Sequence, residues 1–369
     1  MILKRLVFTS WLKAFFGAFF LLLLVLVLAS FVDASIRETV TVEQSLVNFL
    51  YEFPSWLKKI FPFACLCGTL FGLESLKRHN ELVAIFASGY PALRVFYDVL
   101  ILGCFLGSFL IVNNSIISPM ANKARLEWLQ SSGARFKKAS TSETLKGSVS
   151  YNGRFWLKGK GFIVAYKAFE KKNGIIKDAQ IFHLSKDGSR LREYIESNNL
   201  IPMENSDSWL FDTYYHLKEL DIKNFPILEE GQSLSSKQPI DIDMFDWGES
   251  EVFQMGPLQL YDYWTYARQT GTNLDAIQIH IFEIINNALT TLIFTLIPIS
   301  VLFNPNRRAG GLGKNLFFTI VFTVIYWLVY SSMMGLATSG RLNAGLAIFG
   351  PSLVALSYVA YRAFKLRKL

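Results

Sequence analysis

Six segments of the chain are apolar over lengths that approach or exceed what a helix needs to cross a lipid bilayer. An α-helix rises about 1.5 Å per residue, so a hydrocarbon core of about 30 Å takes about 20 residues. The second segment is the shortest, because Lys59 and Glu74 bound it. The six predicted spans are Ala14–Val32, Ile60–Leu73, Val99–Met120, Ile284–Asn306, Asn315–Gly340 and Leu342–Tyr361. The pattern predicts an α-helical membrane protein with six transmembrane helices.

The first span has a basic start, with Lys4, Arg5 and Lys13, and such a start also opens a secretory signal peptide. A signal sequence has an apolar region of about 7–15 residues. The run Ala14–Val32 is longer, and five more spans follow it, so a retained transmembrane helix is the favoured interpretation.

Two of the spans carry glycines spaced for close helix contact. The second span has Gly68-x-x-x-Gly72, and the third has Gly103-x-x-x-Gly107. Small residues four positions apart lie on one face of a helix and let a neighbouring backbone approach, although such pairs also arise by chance in apolar helices.

The chain between the third and fourth spans has a different pattern. Short apolar runs separated by turn signals such as Asn173-Gly174 and Asp187-Gly188 are typical of antiparallel β-structure. The runs that predict strands are 155–157, 161–166, 181–184 and 209–211. We therefore expect the first three spans within residues 1–120, an inserted all-β domain of the jellyroll or sandwich kind at 121–274, and the last three spans within 275–369.

Basic residues in the short connections are unevenly divided between the two sides of the membrane. One side holds Lys4, Arg5, Lys13, Lys77, Arg78, Arg94, Arg307, Arg308, Lys314, Arg362, Lys365, Arg367 and Lys368. The short connections of the other side hold Arg37, Lys58, Lys59 and Arg341. Because basic residues gather on the cytoplasmic side, this division predicts that both termini are cytoplasmic and that the β domain lies outside.

Composition supports burial in a bilayer and argues against a nucleic-acid partner. Of the 369 residues, 51% are hydrophobic and 18% are charged, and a soluble chain of this length would carry more charge. The net charge of +8 would suit nucleic acid, but the basic side chains flank apolar runs instead of forming one polar face. The cysteines, Cys65, Cys67 and Cys104, lie inside apolar runs, so we expect packing roles and no disulfide framework.

The sequence contains no catalytic constellation, no metal-ligand spacing and no cofactor motif. The nearest approach to a phosphate loop is 310–315, where Arg308 replaces the first glycine of the P-loop pattern and Asn315 replaces its hydroxyl residue. The four histidines, at 79, 183, 216 and 280, are scattered and pair with no nucleophile. We therefore expect a chain that is not an enzyme and binds no cofactor of its own.

The connection between the second and third spans contains a short amphipathic helix. Asn80 is placed to cap its start, and Gly89 is placed to stop it. Its apolar residues recur at i, i+3 and i+4, and an acidic residue stands at its start. Such a helix either lies on the membrane surface as a connector or docks into a groove of a cytoplasmic partner. The residues that we assign to docking are Glu81, Leu82, Ile85 and Phe86.

The stretch Asn80–Gly89, with its Glu-Leu-Val and Ala-Ser-Gly elements, resembles the coupling helix of the LptF/LptG permeases of lipopolysaccharide export, the LptG member more closely. The resemblance covers about residues 1–130 and 255–369, and it includes the layout of three spans, a β domain and three more spans. Further matching residues are Phe31-Val32-Asp33, Ile60-Phe61-Pro62, Ser118-Pro119 and Ala124-Arg125. The chain departs from the family pattern at Ser30, Ile36, Ser55 and Arg341-Leu342-Asn343.

The resemblance implies a noncatalytic permease subunit of an ABC transporter in the bacterial inner membrane. Such a subunit pairs with an LptF-like paralogous permease and sits on a dimer of an LptB-like ATPase, which binds the ATP and Mg²⁺. ATP-driven closure would extract lipopolysaccharide from the membrane and pass it to a periplasmic bridge that starts with an LptC-like jellyroll protein. The β domain would then be periplasmic.

Two arginines are candidates for contact with the lipid. Arg37 follows the first span and Arg125 follows the third by a similar distance, so both are expected at about the same depth. Arg37 falls on a basic position of the family, and lipid A is anionic, so we expect bidentate contacts with its phosphates. The alternative is that both are interfacial anchors, which the neighbouring Lys58, Lys59 and Lys123 favour.

An alternative function is a membrane-anchored sensor or binding protein whose β domain recognises a ligand. A sensor needs a cytoplasmic output domain, and no segment predicted to be cytoplasmic is long enough to form one. The permease is therefore the favoured hypothesis.

Overall fold

A computed structural model shows how these patterns fold. The structure describes residues 2–35, 41–132, 149–151, 154–170, 173–185, 189–203, 208–220, 226–237, 240, 245, 252, 255–270, 274–302 and 312–366. The chain forms two compact units, Met1–Lys138 with Gln278–Leu369, and Ala139–Ile277. We call the first the helical unit and the second the β unit.

Long helices make up the helical unit. The helices before the sheet are α1 (Ile2–Ser35), α2 (Val42–Arg78), α3 (Glu81–Ala87), α4 (Ala92–Val112), a π-helical turn (Asn113–Ile117) and α5 (Ser118–Ser132). Those after the sheet are α6 (Pro257–Thr270, in the β unit), α7 (Asp275–Leu302), α8 (Leu312–Thr338) and α9 (Ala344–Leu366).

Within the described residues, six helical stretches are long and apolar enough to cross a membrane. They are Leu3–Val32, Val42–Arg78, Ala92–Leu129, Ile277–Ile299, Asn315–Thr338 and Ala344–Lys365. This confirms the prediction of six transmembrane helices.

The second span is longer than its apolar run. The helix α2 covers 37 residues and continues through Pro54, the Lys58–Lys59 pair and Pro62. Its start has a capping box, in which the Gln44 N–H donates to the Thr41 hydroxyl at 3.2 Å and the Thr41 N–H donates to the Gln44 side chain at 3.1 Å. A helix of this length measures about 55 Å, so it crosses the hydrocarbon core and extends well beyond it.

Glycines let α1 and α2 approach closely, as their spacing predicted. A Cβ at Gly72 would lie 2.9 Å from the Trp11 Cα, and one at Gly68 would lie 3.0 Å from the Phe15 Cβ. The Trp11 indole donates to the Thr69 hydroxyl at 2.8 Å, which satisfies a buried donor where lipid offers no acceptor. Elsewhere α1 is sparsely covered, since only 6% of its most apolar window is buried within the chain. Its support therefore comes mainly from α2.

Hydrogen bonds between buried side chains join α7, α8 and α9. Ser352 donates to the side-chain amide oxygen of Asn286 at 2.6 Å, and the Tyr326 hydroxyl lies 2.8 Å from both the Ser352 and the Thr290 hydroxyls. All four side chains are buried. An unpartnered polar group in hydrocarbon is costly, so this network favours one rotation of the three helices about their axes.

The β unit contains an antiparallel sheet whose strands pair in chain order, with β4 as a branch on β5. The strands are β1 (Val149–Tyr151), β2 (Arg154–Lys158), β3 (Phe162–Tyr166), β4 (Ala168–Glu170), β5 (Ile175–Leu184), β6 (Leu191–Pro202), β7 (Ser208–Lys218) and β8 (Ile227–Lys237). This confirms the inserted all-β region. The predicted turn at Asn173-Gly174 joins β4 to β5, and Gly174 has a φ of 66°. The predicted turn at Asp187-Gly188 lies outside the described residues.

A row of irregular positions crosses the sheet from strand to strand. The row contains Lys167, Asp178, Asn198, Thr213 and Gln232, and Arg154 at the start of β2 lies at its end. The register is the same on both sides of the row, but pairing is interrupted at it, and β3 and β4 continue one line of pairing along β5. Asp178 and Thr213 have left-handed backbone, with φ of 54° and 51°. Buried side chains, which normally alternate, are three apart across the row, as at Ile176 and Ala179. The row is therefore a crease that bends the sheet and keeps one face inside.

Polar side chains stabilise the crease. Asp178 accepts a hydrogen bond from Arg154 at 2.7 Å and forms an ion pair with Lys167. The hydrogen bond from Lys167, together with the charge of Arg154, outweighs partial burial and lowers the pKa of Asp178. On the neighbouring strand the buried Ser197 donates to the Asp212 carbonyl at 2.8 Å. The Ser197 hydroxyl thus satisfies a backbone carbonyl beside the interruption, while the Asp178 contacts join side chains across it.

The core of the β unit lies on the inner face of the creased sheet. It consists of Leu157, Phe162, Val164, Tyr166, Ile176, Ala179, Ile181, Ile195, Leu200, Trp209, Phe211, Ile240 and Phe245. The helix α6 is attached to this core, because Tyr266 packs against it and donates its hydroxyl hydrogen to the Lys158 carbonyl at 2.6 Å.

Replacement of Asp178 tests whether the crease depends on its carboxylate. Asp178→Asn keeps a residue that tolerates left-handed backbone and removes the charge, so we expect a loss of about 1 kcal/mol in β-unit stability at pH 7. Because the folded-state pKa is lowered, the stabilisation is present above the ordinary aspartate pKa and is lost as pH falls through the lowered value. Hydrogen–deuterium exchange of β5–β7, corrected for intrinsic rates, should show the difference at pH 7 and a smaller one below about pH 4.

Two further variants complete this experiment. Asp178→Val places a β-branched residue at positive φ and should exchange faster than Asp178→Asn. Asp262→Asn removes an exposed carboxylate from α6 and serves as the matched control. Identical exchange in Asp178→Asn and the parent protein at pH 7 would contradict the role of the carboxylate.

Candidate functional site

The predicted docking helix is α3, and it begins where α2 ends. Asn80 occupies the position between them with left-handed backbone, at a φ of 58°. Its N–H donates to the Lys77 carbonyl at 3.1 Å, which closes α2, and its carbonyl accepts from the Ala84 N–H at 3.1 Å, which opens α3. The Asn80 side chain makes no capping hydrogen bond, so its contribution is the sharp change in direction that asparagine tolerates.

Gly89 ends α3, as the sequence predicted. It has a φ of 83°, its N–H donates to the Phe86 carbonyl at 3.0 Å, and the Tyr90 N–H donates to the Ile85 carbonyl at 3.3 Å. This pair of hydrogen bonds is the Schellman motif, which needs a residue with left-handed backbone. A helix of two turns is thus fixed at both ends by backbone geometry.

The apolar stripe of α3 faces into the helical unit. Leu82 and Ile85 are only 5% and 1% exposed, and Phe86 is partly buried. Val83 is 61% exposed and, with the exposed Ala84 and Ala87, forms the outward face. Glu81 is partly buried at the first position of the helix. The sequence pattern predicts that this stripe contacts a partner directly. Within this chain Leu82 and Ile85 are buried, and the docking role of the stripe stays a prediction.

A polar cluster connects the end of α3 to α1 and α4. The Tyr90 hydroxyl donates to the Asp98 carboxylate, and Lys4 lies 3.5 Å from the other carboxylate oxygen. The Arg94 guanidinium stands 5.4 Å above the Tyr90 ring. Burial and the hydrogen bond to Asp98 raise the pKa of Tyr90 to about 12, so the phenol stays protonated at neutral pH. The amphipathic pattern used to find α3 gave no signal for this cluster.

Arg125 is held within the helical unit by side chains of α2. Its guanidinium lies 2.5 Å from Glu52, and its Nε donates to the Asn48 side chain at 2.8 Å. The same two helices meet again through the Ser55 and Ser118 hydroxyls, 2.8 Å apart. Arg125 therefore joins α5 to the part of α2 that precedes the Lys58–Lys59 pair.

Of the two arginines predicted to contact lipid, only Arg125 lies among the described residues. Arg37 lies outside the described residues, so the structure does not show the two together. Arg125 has a carboxylate partner, so a phosphate would have to displace or share Glu52. Their contact with lipid stays a prediction.

In the part of the chain that the structure describes, no three His, Cys, Asp or Glu side chains are grouped so that they could hold a metal ion.

The described residues form six helices able to span a membrane, a two-turn helix closed at both ends between the second and third, and an antiparallel sheet inserted after the third. This is the architecture of a multi-pass membrane protein with an inserted β region. The sequence model of one family, described as the lipopolysaccharide export system permease LptF/LptG, matches residues 5–365. The chain belongs to this family. The match covers LptF and LptG jointly, and the closer likeness to LptG stays a prediction. A comparison with curated proteins found no match.

Membership of the LptF/LptG family determines the class of function of this chain. The family consists of permeases and is not a family of catalytic enzymes, so the chain is a lipopolysaccharide export permease subunit. Together with the six spans, membership identifies a multi-pass protein of the inner membrane. It favours the permease over the sensor that the sequence left as an alternative.

The polar cluster at Asp98 gives a testable prediction about α3. Tyr90→Phe removes the donor of a partly buried, charge-assisted hydrogen bond and should accelerate amide exchange across α3 severalfold. Lys4→Ala should have a smaller effect, because the lysine is 59% exposed and exposed ion pairs contribute little. Tyr97→Phe, which changes an exposed tyrosine on α4, is the control. Equal exchange in Tyr90→Phe and Tyr97→Phe would contradict the proposed attachment.

Proposed function

We propose that this chain is one of two permease halves of an ABC transporter that extracts lipopolysaccharide from the inner membrane and passes it to a periplasmic bridge. The other half would be an LptF-like paralogue, the motor an LptB-like ATPase dimer, and the first bridge component an LptC-like jellyroll protein. The observation that carries the proposal is α3, a helix between two spans that is fixed at both ends and has an outward face of its own. The chain's own loop at 310–315 departs from a P-loop, which fits ATP and Mg²⁺ being bound by the partner.

The proposed contact is a helix-in-groove interaction. Leu82 and Ile85 would hold α3 against α2, while Val83 and the small Ala84 and Ala87 would enter the ATPase groove. Glu81, at the helix start, would accept hydrogen bonds or an ion pair from the groove, and Phe86 would pack at its edge. The contact requires α3 to be cytoplasmic, as the distribution of basic residues predicts.

We also propose that Arg37 and Arg125 contact lipid phosphates at the outer end of the membrane-spanning helices. A guanidinium binds phosphate through two parallel hydrogen bonds and stays charged at any physiological pH. For Arg125 the proposal includes an exchange, in which the phosphate replaces Glu52 as the anionic partner. Asn48 would keep its hydrogen bond to the Arg125 Nε and hold the side chain in place.

The outward face of α3 can be tested with a matched pair of valines. Val83→Asp places a charge in the proposed contact and should abolish co-purification of the ATPase in detergent. Val42→Asp changes an equally accessible valine at the start of α2 and should leave it unchanged. Glu81→Ala should weaken the association or uncouple ATP hydrolysis from export, because loss of one partner of a buried pair costs about 2–5 kcal/mol.

The same preparation tests the function as a whole. The parent chain should carry an ATPase whose turnover is stimulated by lipopolysaccharide. Topology is tested separately in spheroplasts: a cysteine introduced at Lys77 should resist impermeant thiol reagents, while one introduced at Asn173 should react. Normal ATPase association and export in both Val83→Asp and Glu81→Ala would show that α3 is not the docking element.

The arginines can be tested by separating loss of charge from loss of the ion pair. Arg37→Glu and Arg125→Glu should each reduce export on the order of tenfold, since the phosphate contact becomes repulsive. Glu52→Gln leaves the guanidinium free for phosphate and should be tolerated. A photocrosslinker at Arg37 or Arg125 should capture lipopolysaccharide, and one at Asn173 should not. If Glu52→Gln reduces export as much as Arg125→Glu and neither crosslinker captures lipid, Arg125 has a structural role only.

A further inference from the structure

The helix α6 has one face bound to the β unit. Leu260, Tyr263 and Ala267 are buried, and they recur at the spacing of a single helix face. Tyr266, beside them, donates to the Lys158 carbonyl at the end of β2. The orientation of α6 is therefore fixed by the sheet, and the side chains on its other side are presented outward in a defined direction.

The outward side of α6 is aromatic and apolar along one flank. Leu258 is 80% exposed and Tyr261 is 65% exposed. The Tyr261 ring lies 6.4 Å from the Trp264 ring, and the Arg268 guanidinium stands 5.5 Å above Trp264. The flank thus carries leucine, tyrosine, tryptophan and arginine in succession, with Asp262 on the opposite edge of the exposed side.

The chain ties this helix to the start of a membrane span. α6 ends at Thr270 and α7 begins at Asp275, so the connection reaches at most about 18 Å. The fourth candidate span starts at Ile277, two residues into α7. Trp264 and Arg268 lie in the half of α6 nearest this connection. The aromatic flank is therefore held close to the point where the chain enters the bilayer.

We propose that α6 is an interfacial helix whose Leu258–Arg268 flank binds the surface of the leaflet that faces the β unit. Tyrosine and tryptophan favour the boundary between hydrocarbon and headgroups, since their rings are apolar and their polar atoms need water or headgroup partners. Arg268 can extend its guanidinium to lipid phosphates while its stem covers Trp264. A lipid surface is the occupant because the flank lies only a few residues before the fourth candidate span, where interfacial aromatic and basic residues gather.

The test uses the full chain in nanodiscs of phosphatidylcholine and phosphatidylglycerol, with its three cysteines replaced by alanine. The dye NBD is attached at Tyr261→Cys, at Tyr215→Cys as an exposed control on β7, and at Leu328→Cys as a lipid-facing reference on α8. We expect doxyl-labelled lipids to quench the dye at 261 at least about twofold more than at 215, and iodide in the buffer to do the reverse.

Each other outcome overturns the proposal. Equal doxyl quenching at 261 and 215 would show that the flank is exposed to water. Protection from iodide without doxyl quenching would show that another protein covers it. If the cysteine-free chain does not fold, brominated lipids can be added to the parent protein and to Trp264→Phe. The fluorescence lost on bromination should then be smaller in Trp264→Phe, and an unchanged loss would refute the contact.

Discussion

A lipid bilayer offers no water to polar groups, and the helical unit is organised around that constraint. Several polar side chains in the apolar region find their partner on a second helix, as Trp11 does at Thr69. The hydroxyls of Tyr326 and Ser352 do the same between α8 and α9. Packing of lipid-like side chains gives little direction to helix association, so these few bonds select which helices meet and at which rotation.

The short helix α3 depends on this frame. Seven residues are too few to form a stable helix alone, because the first turn costs more than it returns. Asn80 and Gly89 fix its ends, Leu82 and Ile85 are buried within the chain, and Tyr90 connects it to Asp98. A force on its outward face would therefore pass to α1, α2 and α4 together.

The length of each apolar segment was enough to predict the six spans, because whether a helix can cross a bilayer depends on that segment alone and on no distant residue. The boundaries of the helices were less predictable. The apolar run of the second span stops at Lys58 and Lys59, but the helix α2 continues through them, because their long stems keep the charges accessible. The direction of the α3 stripe and the partner of Arg125 depend on residues distant in sequence, and a local pattern contains no information about them. Asp178 and Thr213 are ordinary strand positions in the sequence, so the crease became visible only through the pairing register.

The left-handed residues at both ends of α3 also determine which changes this connection tolerates. Side chains on the outward face can vary, and the face still points the same way. A residue inserted between Leu82 and Ile85 instead turns everything after it by about 100° around the helix axis. Leu82 and Ile85 could then no longer both stay buried. The direction of the outward face is thus set by the number of residues between the two ends of α3, whatever side chains that face carries.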